Sequence, residues 1–338
     1  MSKIYNQTNY QKIMKPYLCL AIESTAHTIA ASVINSKGKI LSDARDMYQT
    51  EKEGLEPRKV ADHHKNVGNK IIQEAIKDIN IKDIKLVSFS QGPGLPLSLV
   101  EGMKFAKEFS KKHKIPLIGV NHICAHLEIG KLMTKAKNPV FVFTSGANTQ
   151  IIAYEGGKYR IFGECLSIAL GNALDKFGRA IGLGFPAGPK IEQLAKSGKK
   201  YIELPYTVKG MDVEFSGIVT HAINLFRKGE NKEDLCYSLQ ETMFSMLVEV
   251  TERALAHCDK DEVLLIGGVA ANQRLCEMLK IMCRERKAKF YAVPIKYSGD
   301  NAAMIGWQGI LEYKKRKTEE DIDIRSTWRI DQVETVWI

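Results

Sequence analysis

Hydrophobic positions along the chain follow two rhythms. Short apolar, β-branched runs bounded by glycine or polar turns predict strands. Longer stretches with apolar residues every three or four positions predict helices. Tyr17 to Asn35 is strand-like, with a turn at Ser36-Lys-Gly-Lys39 and a return at Ile40-Leu-Ser-Asp43, so the chain opens as a β-hairpin. Within it, Ala21-Ile-Glu-Ser-Thr-Ala-His-Thr28 sets a carboxylate and small hydroxyls at a strand end, which suits either a surface turn or a turn facing phosphate. Pro57 to Ile79 has helical spacing, with Val60, Val67, Ile71, Ile72 and Ile76 apolar and Pro57 suited to a first turn. His63 and His64 on this helix point in different directions and are read as structural or as supports to a site. Ile84 to Ser90 predicts a buried strand, Gln91-Gly-Pro-Gly-Leu95 a tight turn, Ser98 to Lys112 a helix and Pro116 to Val120 a strand.

After a lysine-rich joint at Lys131 to Asn138 the order of elements starts again. Val140 to Thr144 predicts a strand, Ser145-Gly-Ala-Asn-Thr-Gln150 a turn, Ile151 to Tyr154 a strand, and Tyr154-Glu-Gly-Gly-Lys158 a hairpin. Helices are expected at 171–182 and 189–197, and from about Lys232 to His257. Val263 to Leu275 reads as buried strand, Gly-Gly turn and helix, a turn that lets backbone N–H groups approach an anion or a ribose. Architecture repeats without a repeat of sequence. The expectation is two similar α/β lobes with a nucleotide cleft between them. The division is a loose tail at 1–16, an N-terminal lobe at 17–136, a C-terminal lobe at 137–313 and a tail at 314–338.

The chemistry centres on Asn121-His-Ile-Cys-Ala-His126, where two histidines four apart leave one face of a predicted helix. That spacing offers two nitrogens to one metal ion, and it is also the spacing of two ordinary helix histidines. A glutamate beside the first histidine would suggest a zinc protease, but residue 123 is isoleucine. Far downstream, Tyr297-Ser-Gly-Asp300 offers a carboxylate on a glycine turn at a helix start. Two histidines and one carboxylate form a known arrangement for a metal with open positions.

Composition adds little to fold and more to partners. The 338 residues are 44% hydrophobic and carry a net charge of +10. The basic excess fits a polyanionic partner, nucleic acid first, or a solvated lysine-rich surface. The most basic segment holds Lys104, Lys107, Lys111, Lys112 and Lys114, and a second run is Lys314-Lys-Arg-Lys317. Seven scattered cysteines without a Cys-x-x-Cys pair argue against a disulfide framework and place the chain in a reducing cytoplasm. No stretch is long and apolar enough to span a bilayer.

These residues together resemble the tRNA N6-adenosine threonylcarbamoyltransferases, in the archaeal and eukaryotic branch that forms the catalytic subunit of the KEOPS complex. The resemblance rests on Ile22-Glu-Ser-Thr-Ala-His-Thr28, Phe89-Ser-Gln-Gly-Pro-Gly-Leu95, the histidine helix, Ser145 to Gln150, Gly184-Phe-Pro-Ala-Gly-Pro189, Phe215-Ser-Gly217, Gly267-Gly-Val-Ala-Ala-Asn272, Gly299-Asp-Asn301 and the tail from Arg325 to Trp337. It implies an α/β, two-lobed actin/hexokinase/Hsp70-like fold with ribonuclease-H-like lobes. It implies transfer of a threonylcarbamoyl group from threonylcarbamoyl-adenylate to N6 of the adenosine beside the anticodon in ANN-decoding tRNAs. It assigns one divalent metal, iron with zinc as the alternative, to His122, His126 and Asp300. It assigns the adenylate, or ATP, to Phe143, Thr144, Ser145, Gly146, Ala147, Asp175, Gly188, Glu192 and Asn272. Its implied partners are tRNA, an atypical kinase/ATPase subunit and a small dimerising subunit.

Several positions depart from the family pattern. Phe143 stands where the family commonly has a metal-ligating tyrosine. Ala147 replaces the second glycine of the phosphate turn and would be strained if that position needs φ > 0. Pro96-Leu-Ser-Leu-Val100 lacks the usual arginine, and Ser167 replaces an acid. A divergent homologue that binds nucleotide and partner subunits with little turnover is therefore the alternative to an active transferase.

Overall fold

The computed structural model describes residues 16–49, 56–315 and 322–338. The expected N-terminal tail, except Pro16, and Arg316 and Lys317 of the second basic run lie outside these residues. The opening apolar run divides into two antiparallel strands, β1 (Leu18–Glu23) and β2 (Thr28–Asn35), with the polar stretch 24–27 at the bend. Then come β3 (Ile40–Met47), α1 (Pro57–Ile76), β4 (Ile84–Gly92), α2 (Pro96–His113), β5 (Leu117–Asn121) and the histidine helix α3 (His122–Thr134). The second half runs β6 (Val140–Thr144), β7 (Thr149–Glu155), β8 (Lys158–Glu164), α4 (Leu170–Ala180), α5 (Gly188–Ala195), the small hairpin β9 (Val208–Lys209) and β10 (Asp212–Val213), α6 (Ser216–Arg227) and α7 (Lys232–His257). It continues through β11 (Glu262–Ile266), α8 (Gln273–Glu285), β12 (Lys289–Ala292), α9 (Ile295–Ser298) and α10 (Ala302–Tyr313).

The two sheets share one connectivity. The first is ordered β3-β2-β1-β4-β5 and the second β8-β7-β6-β11-β12. In each, the first three strands are antiparallel and the last two join in parallel. The repeat read from the order of elements is thus a repeat of topology.

Strand alternation sorts the side chains into layers. In β1, Leu20 and Ile22 face a core with Ile71, Ile72 and Phe105 of α1 and α2, while Cys19 and Ala21 face the opposite way. In β6, Val140 and Val142 face α4, α7 and α8, while Phe141 and Phe143 face the same middle core as Cys19 and Ala21. Helices α3 and α10 fill that middle core between the sheets. Five layers result: helices, sheet, the α3/α10 layer, sheet, helices.

One boundary differs from the sequence division. Helix α10, expected in the second lobe, packs against β1, β2, β4 and α3 instead. A buried apolar helix shows no preference for one sheet in its own sequence, and close approach decides. A Cβ at Gly306 would lie 2.5 Å from Ile34 Cγ2 and 3.1 Å from Ala21 Cβ. Gly306→Ala is therefore expected to lower unfolding free energy by about 1–3 kcal/mol through overpacking. Gly217→Ala, where no atom lies within 4 Å of the added methyl, should change it by less than about 0.5 kcal/mol. Urea denaturation of both variants checks the pair, and equal losses would mean that α10 is not wedged against β2.

Candidate metal and nucleotide site

The site starts at the end of β5. Asn121 caps α3, its Oδ1 accepting the N–H groups of Ile123 (2.9 Å) and Cys124 (3.0 Å). The cap fixes where the helix begins and so sends His122 and His126 out along one face. Their rings lie 4.7 Å apart and nearly perpendicular. Asp300, just before the Asn301 cap of α10, closes the set. Its Oδ1 is 3.2 Å from His126 Nε2 and 3.4 Å from His122 Nε2. One ligand atom from each of the three residues lies within 4.8 Å of the others.

A fourth group, not assigned from the sequence, organises this set. Glu23, completely buried at the end of β1, places Oε2 3.0 Å from His122 Nδ1. Its other oxygen accepts the Thr25 N–H (2.7 Å) and the Thr25 hydroxyl. The sequence signal was present as a carboxylate interrupting an apolar run, but its partner is 99 residues away. Burial opposes charge on His122, yet Glu23 and then Asp300 push its pKa up to about 10. Burial lowers the pKa of His126. Burial also works against the Asp300 charge, but the two imidazoles hold that carboxyl well below its ordinary value.

These residues fit a divalent metal ion. Two imidazole nitrogens and a carboxylate oxygen suit iron or zinc. The Glu23 carboxylate on Nδ1 leaves His122 Nε2 directed at the cluster, as carboxylates orient ligating histidines elsewhere. His126 Nδ1 is buried without a hydrogen-bond partner, so Nε2 is the ring atom its surroundings engage. Phe143, fully buried with its ring 5.1 Å from that of His126, brings no donor atom.

The next residue along β6 leads to the 144–147 turn, which the sequence assigned to a nucleotide. Ser145 N–H donates to Asn148 O (2.7 Å), and Asn148 N–H donates to Ser145 Oγ (3.0 Å). The carbonyls of Ser145 and Gly146 accept N–H groups of Gly171 and Asn172 in the first turn of α4. Gly146 and Ala147 are left exposed at the tip. The expected strain at Ala147 is absent: among the described residues, non-glycine positive φ occurs only at Lys114, Lys135, Asp259 and Lys287. The position that does require glycine is Gly267, with φ +105° and a Cβ that would sit 2.2 Å from the carbonyl oxygen of the buried Thr144. This contact pins the ends of β6 and β11 together, at the carboxyl edge where open α/β sheets receive ligands.

The remaining sequence-assigned residues link helix starts. Asp175 Oδ1 accepts the Ala187 N–H (2.7 Å) beside Gly188, the first residue of α5. Burial raises its pKa, against that bond and the nearby Arg179 and His27 charges. Glu192 Oε1 accepts the Gln273 N–H (2.9 Å) at the start of α8. Asn272 caps α8 through Leu275 N–H (3.1 Å) and donates to Gln240 Oε1 (2.7 Å). Ser167 Oγ accepts the N–H of Ser216, the first residue of α6, at 3.4 Å. Across the cleft, His27 of the β1–β2 bend meets Phe185 with ring centroids 6.3 Å apart. His64, by contrast, is fully buried with both ring nitrogens unpartnered, and burial lowers its pKa to about 4.

Comparison with known proteins matches this arrangement to one family. The sequence profile of the tRNA N6-adenosine threonylcarbamoyltransferases matches residues 39–307. The chain is 47% identical to the transferase of that name from Thermococcus sibiricus, covering 95% of this chain and all of that protein. It is 50% identical to a probable bifunctional tRNA threonylcarbamoyladenosine biosynthesis protein of Methanocaldococcus jannaschii, over 95% of this chain. The chain spans 60% of that relative's length. Among solved structures, component A of (R)-2-hydroxyglutaryl-CoA dehydratase from Acidaminococcus fermentans superposes with a TM-score of 0.56 at 12% identity, covering 88% of this chain and 100% of that one. HypF of T. kodakarensis gives 0.60 at 14% identity, covering 88% and 49%. These two show the expected actin/hexokinase-like fold and nothing of activity. By profile and by near-full-length identity, the chain belongs to the tRNA N6-adenosine threonylcarbamoyltransferase family.

Proposed function

We propose that this chain transfers a threonylcarbamoyl group from threonylcarbamoyl-adenylate to N6 of the adenosine beside the anticodon in ANN-decoding tRNAs. The N6 amine attacks the carbamoyl carbon, an N–C bond forms, the C–O bond to the adenylate phosphate breaks, and AMP leaves as N6 loses one proton. The observation that carries the reading is the adjoining pair of sites, with the His122, His126 and Asp300 set meeting the nucleotide turn through Phe143. A divalent ion there, iron in our reading with zinc as the alternative, would supply charge to orient and polarise phosphate or carbamoyl oxygens. The turn 144–147 and the α5 and α8 starts at Gly188 and Asn272 offer backbone and amide groups to the adenylate, and Asp175 and Glu192 suit its ribose hydroxyls. No side chain stands out as a general base, so positioning and charge stabilisation carry the rate.

The partners are tRNA, a kinase/ATPase subunit and a small dimerising subunit, in a cytoplasmic complex. Among the described residues all seven cysteines are free and no helix is long and apolar enough to cross a membrane. The basic face of α2 lies in the outer layer, across the first sheet from the site. Lys176 and Arg179 are exposed on α4 beside Asp175, nearer the cleft. A second reading, a homologue that binds without turnover, is favoured by the missing donor at Phe143.

Transfer of labelled threonine to tRNA by the complete complex is expected from wild-type protein and lost, by at least about 100-fold, in His126→Ala. Wild-type inactivity with metal and partners present would move the reading to the binding homologue. Phe143→Tyr is expected to raise metal occupancy in a chelator competition. Unchanged occupancy would remove Phe143 as a cause of weak binding. Charge reversal at Lys176 and Arg179 should weaken tRNA binding and flatten its salt dependence more than reversal at Lys107 and Lys111. The opposite ranking would put the tRNA on the outer face of the first lobe.

A further inference from the structure

Residues 322–338 cross both lobes and touch the histidine helix twice. At the first lobe, Arg325 N–H donates to Gln91 O (2.7 Å), Gln91 Nε2 donates to Asp323 O (2.6 Å) and Gly94 N–H donates to Ser326 O (3.1 Å). A Cβ at Gly92 would fall 1.9 Å from Arg325 O, so backbone lies directly on backbone there. The segment then enters the middle core, burying Trp328, Ile330 and Val333. It reaches the second lobe through Arg329 to Glu164 (3.3 Å) and Thr335 Oγ1 to Gly157 O (2.7 Å), both at the ends of β8.

The two bonds to α3 bracket the metal pair. Asn121, which caps α3 one residue before His122, donates from Nδ2 to Trp328 O at 3.1 Å. Glu128, two residues after His126, accepts the Trp337 indole N–H at 2.9 Å. Glu128 is buried on the side of the helix away from the histidines, where it also accepts from Tyr159 of β8 and pairs with Lys131 at 3.0 Å. A buried carboxylate with these donors resists any rotation of α3 that breaks them.

We propose that the 322–338 segment is a strap that positions His122 and His126. It holds α3 at its cap and at Glu128 while tied to the β8 hairpin, so a shift of that hairpin moves the metal helix. Trp337 is then a positioning residue, acting through Glu128 without touching substrate.

Trp337→Phe keeps the ring and removes the donor. The test compares it with Thr335→Val and with Ile191→Val, a core change in the outer helices of the second lobe. In the protein without added metal, hydrogen exchange of the 124–130 amides is expected to quicken about tenfold in Trp337→Phe and in Thr335→Val, and not in Ile191→Val. Cobalt(II) titration should show weaker binding, by about tenfold, and an altered visible spectrum in the two strap variants only. The exchange arm is independent of the metal reading, whereas the cobalt arm rests on it. Wild-type exchange rates in both strap variants would overturn the proposal, as would equal changes in Ile191→Val. Wild-type protein that binds no cobalt would sink the metal reading and leave the exchange result to decide the strap. If Trp337→Phe fails to fold, Thr335→Val carries the test.

Discussion

The site depends on a cluster of charge buried where the two sheets meet across α3 and α10. Glu23, His122, His126 and Asp300 lie in or at the edge of the middle layer. With both imidazoles neutral, the two carboxylates leave the cluster doubly negative, a costly state in a low-dielectric interior. One proton on His122 halves that charge, which is why its pKa stands near 10 in spite of burial. A divalent cation would cancel it, and would do so by displacing that proton. The same electrostatics that make the cluster costly on its own would favour a cation there, and they make Glu23 more than a spectator. Its charge both raises the proton affinity of His122 and orients the ring for a metal.

Much of this was legible in the chain, and the limits of legibility are physical. Elements with strong local periodicity were readable almost to the residue: the long helix expected from Lys232 to His257 is observed over that span. The repeat of strand, turn, strand and hairpin was read as two similar α/β lobes, and the two observed sheets share one connectivity. Helix α10 packs on the first sheet although it follows second-lobe strands, because a helix apolar on most faces suits either sheet and the close approaches at Gly306 and Gly309 select one. Glu23 was visible as an anomaly, but nothing local could pair it with a histidine 99 positions away.

The acids and amides expected at a nucleotide illustrate a different limit. Asp175, Glu192 and Asn272 were expected beside the adenylate. In the structure each does bond to the first N–H groups of a helix. The two roles are compatible. A carboxylate has about four acceptor sites and a cap uses one or two, so an oxygen remains for a ribose hydroxyl. Capping gives the residue the rigidity that ligand recognition needs, since a side chain locked to a helix start loses little further entropy on binding. Ala147 makes the converse point. Its departure from glycine looked costly only while the backbone was unknown, and the strained glycine of this edge proves to be Gly267.

The shared topology of the lobes conceals an asymmetry that bears on function. Each sheet has an outer helical layer of its own, but the middle layer is built unequally. It takes α3 and α10, both continuous with first-lobe strands or packed on them, and then the strap from the end of the described chain. The His122, His126 and Asp300 set is thus carried by the middle layer, where α3 packs on β4 and β5 of the first sheet and on β11 and β12 of the second, while the 144–147 turn and the α4, α5 and α8 starts lie on the second sheet's side. Contacts from the second half reach α3 at His126, where Phe143 packs, at Gly130, where a Cβ would lie 3.0 Å from Ile266 Cδ1, and at Glu128, bonded by Tyr159 and Trp337. Phe143 contributes only ring contact, which tolerates sliding, whereas the Glu128 bonds are directional and do not. The orientation of the metal helix relative to the second lobe is thus set from behind, by a buried carboxylate, rather than at the site itself.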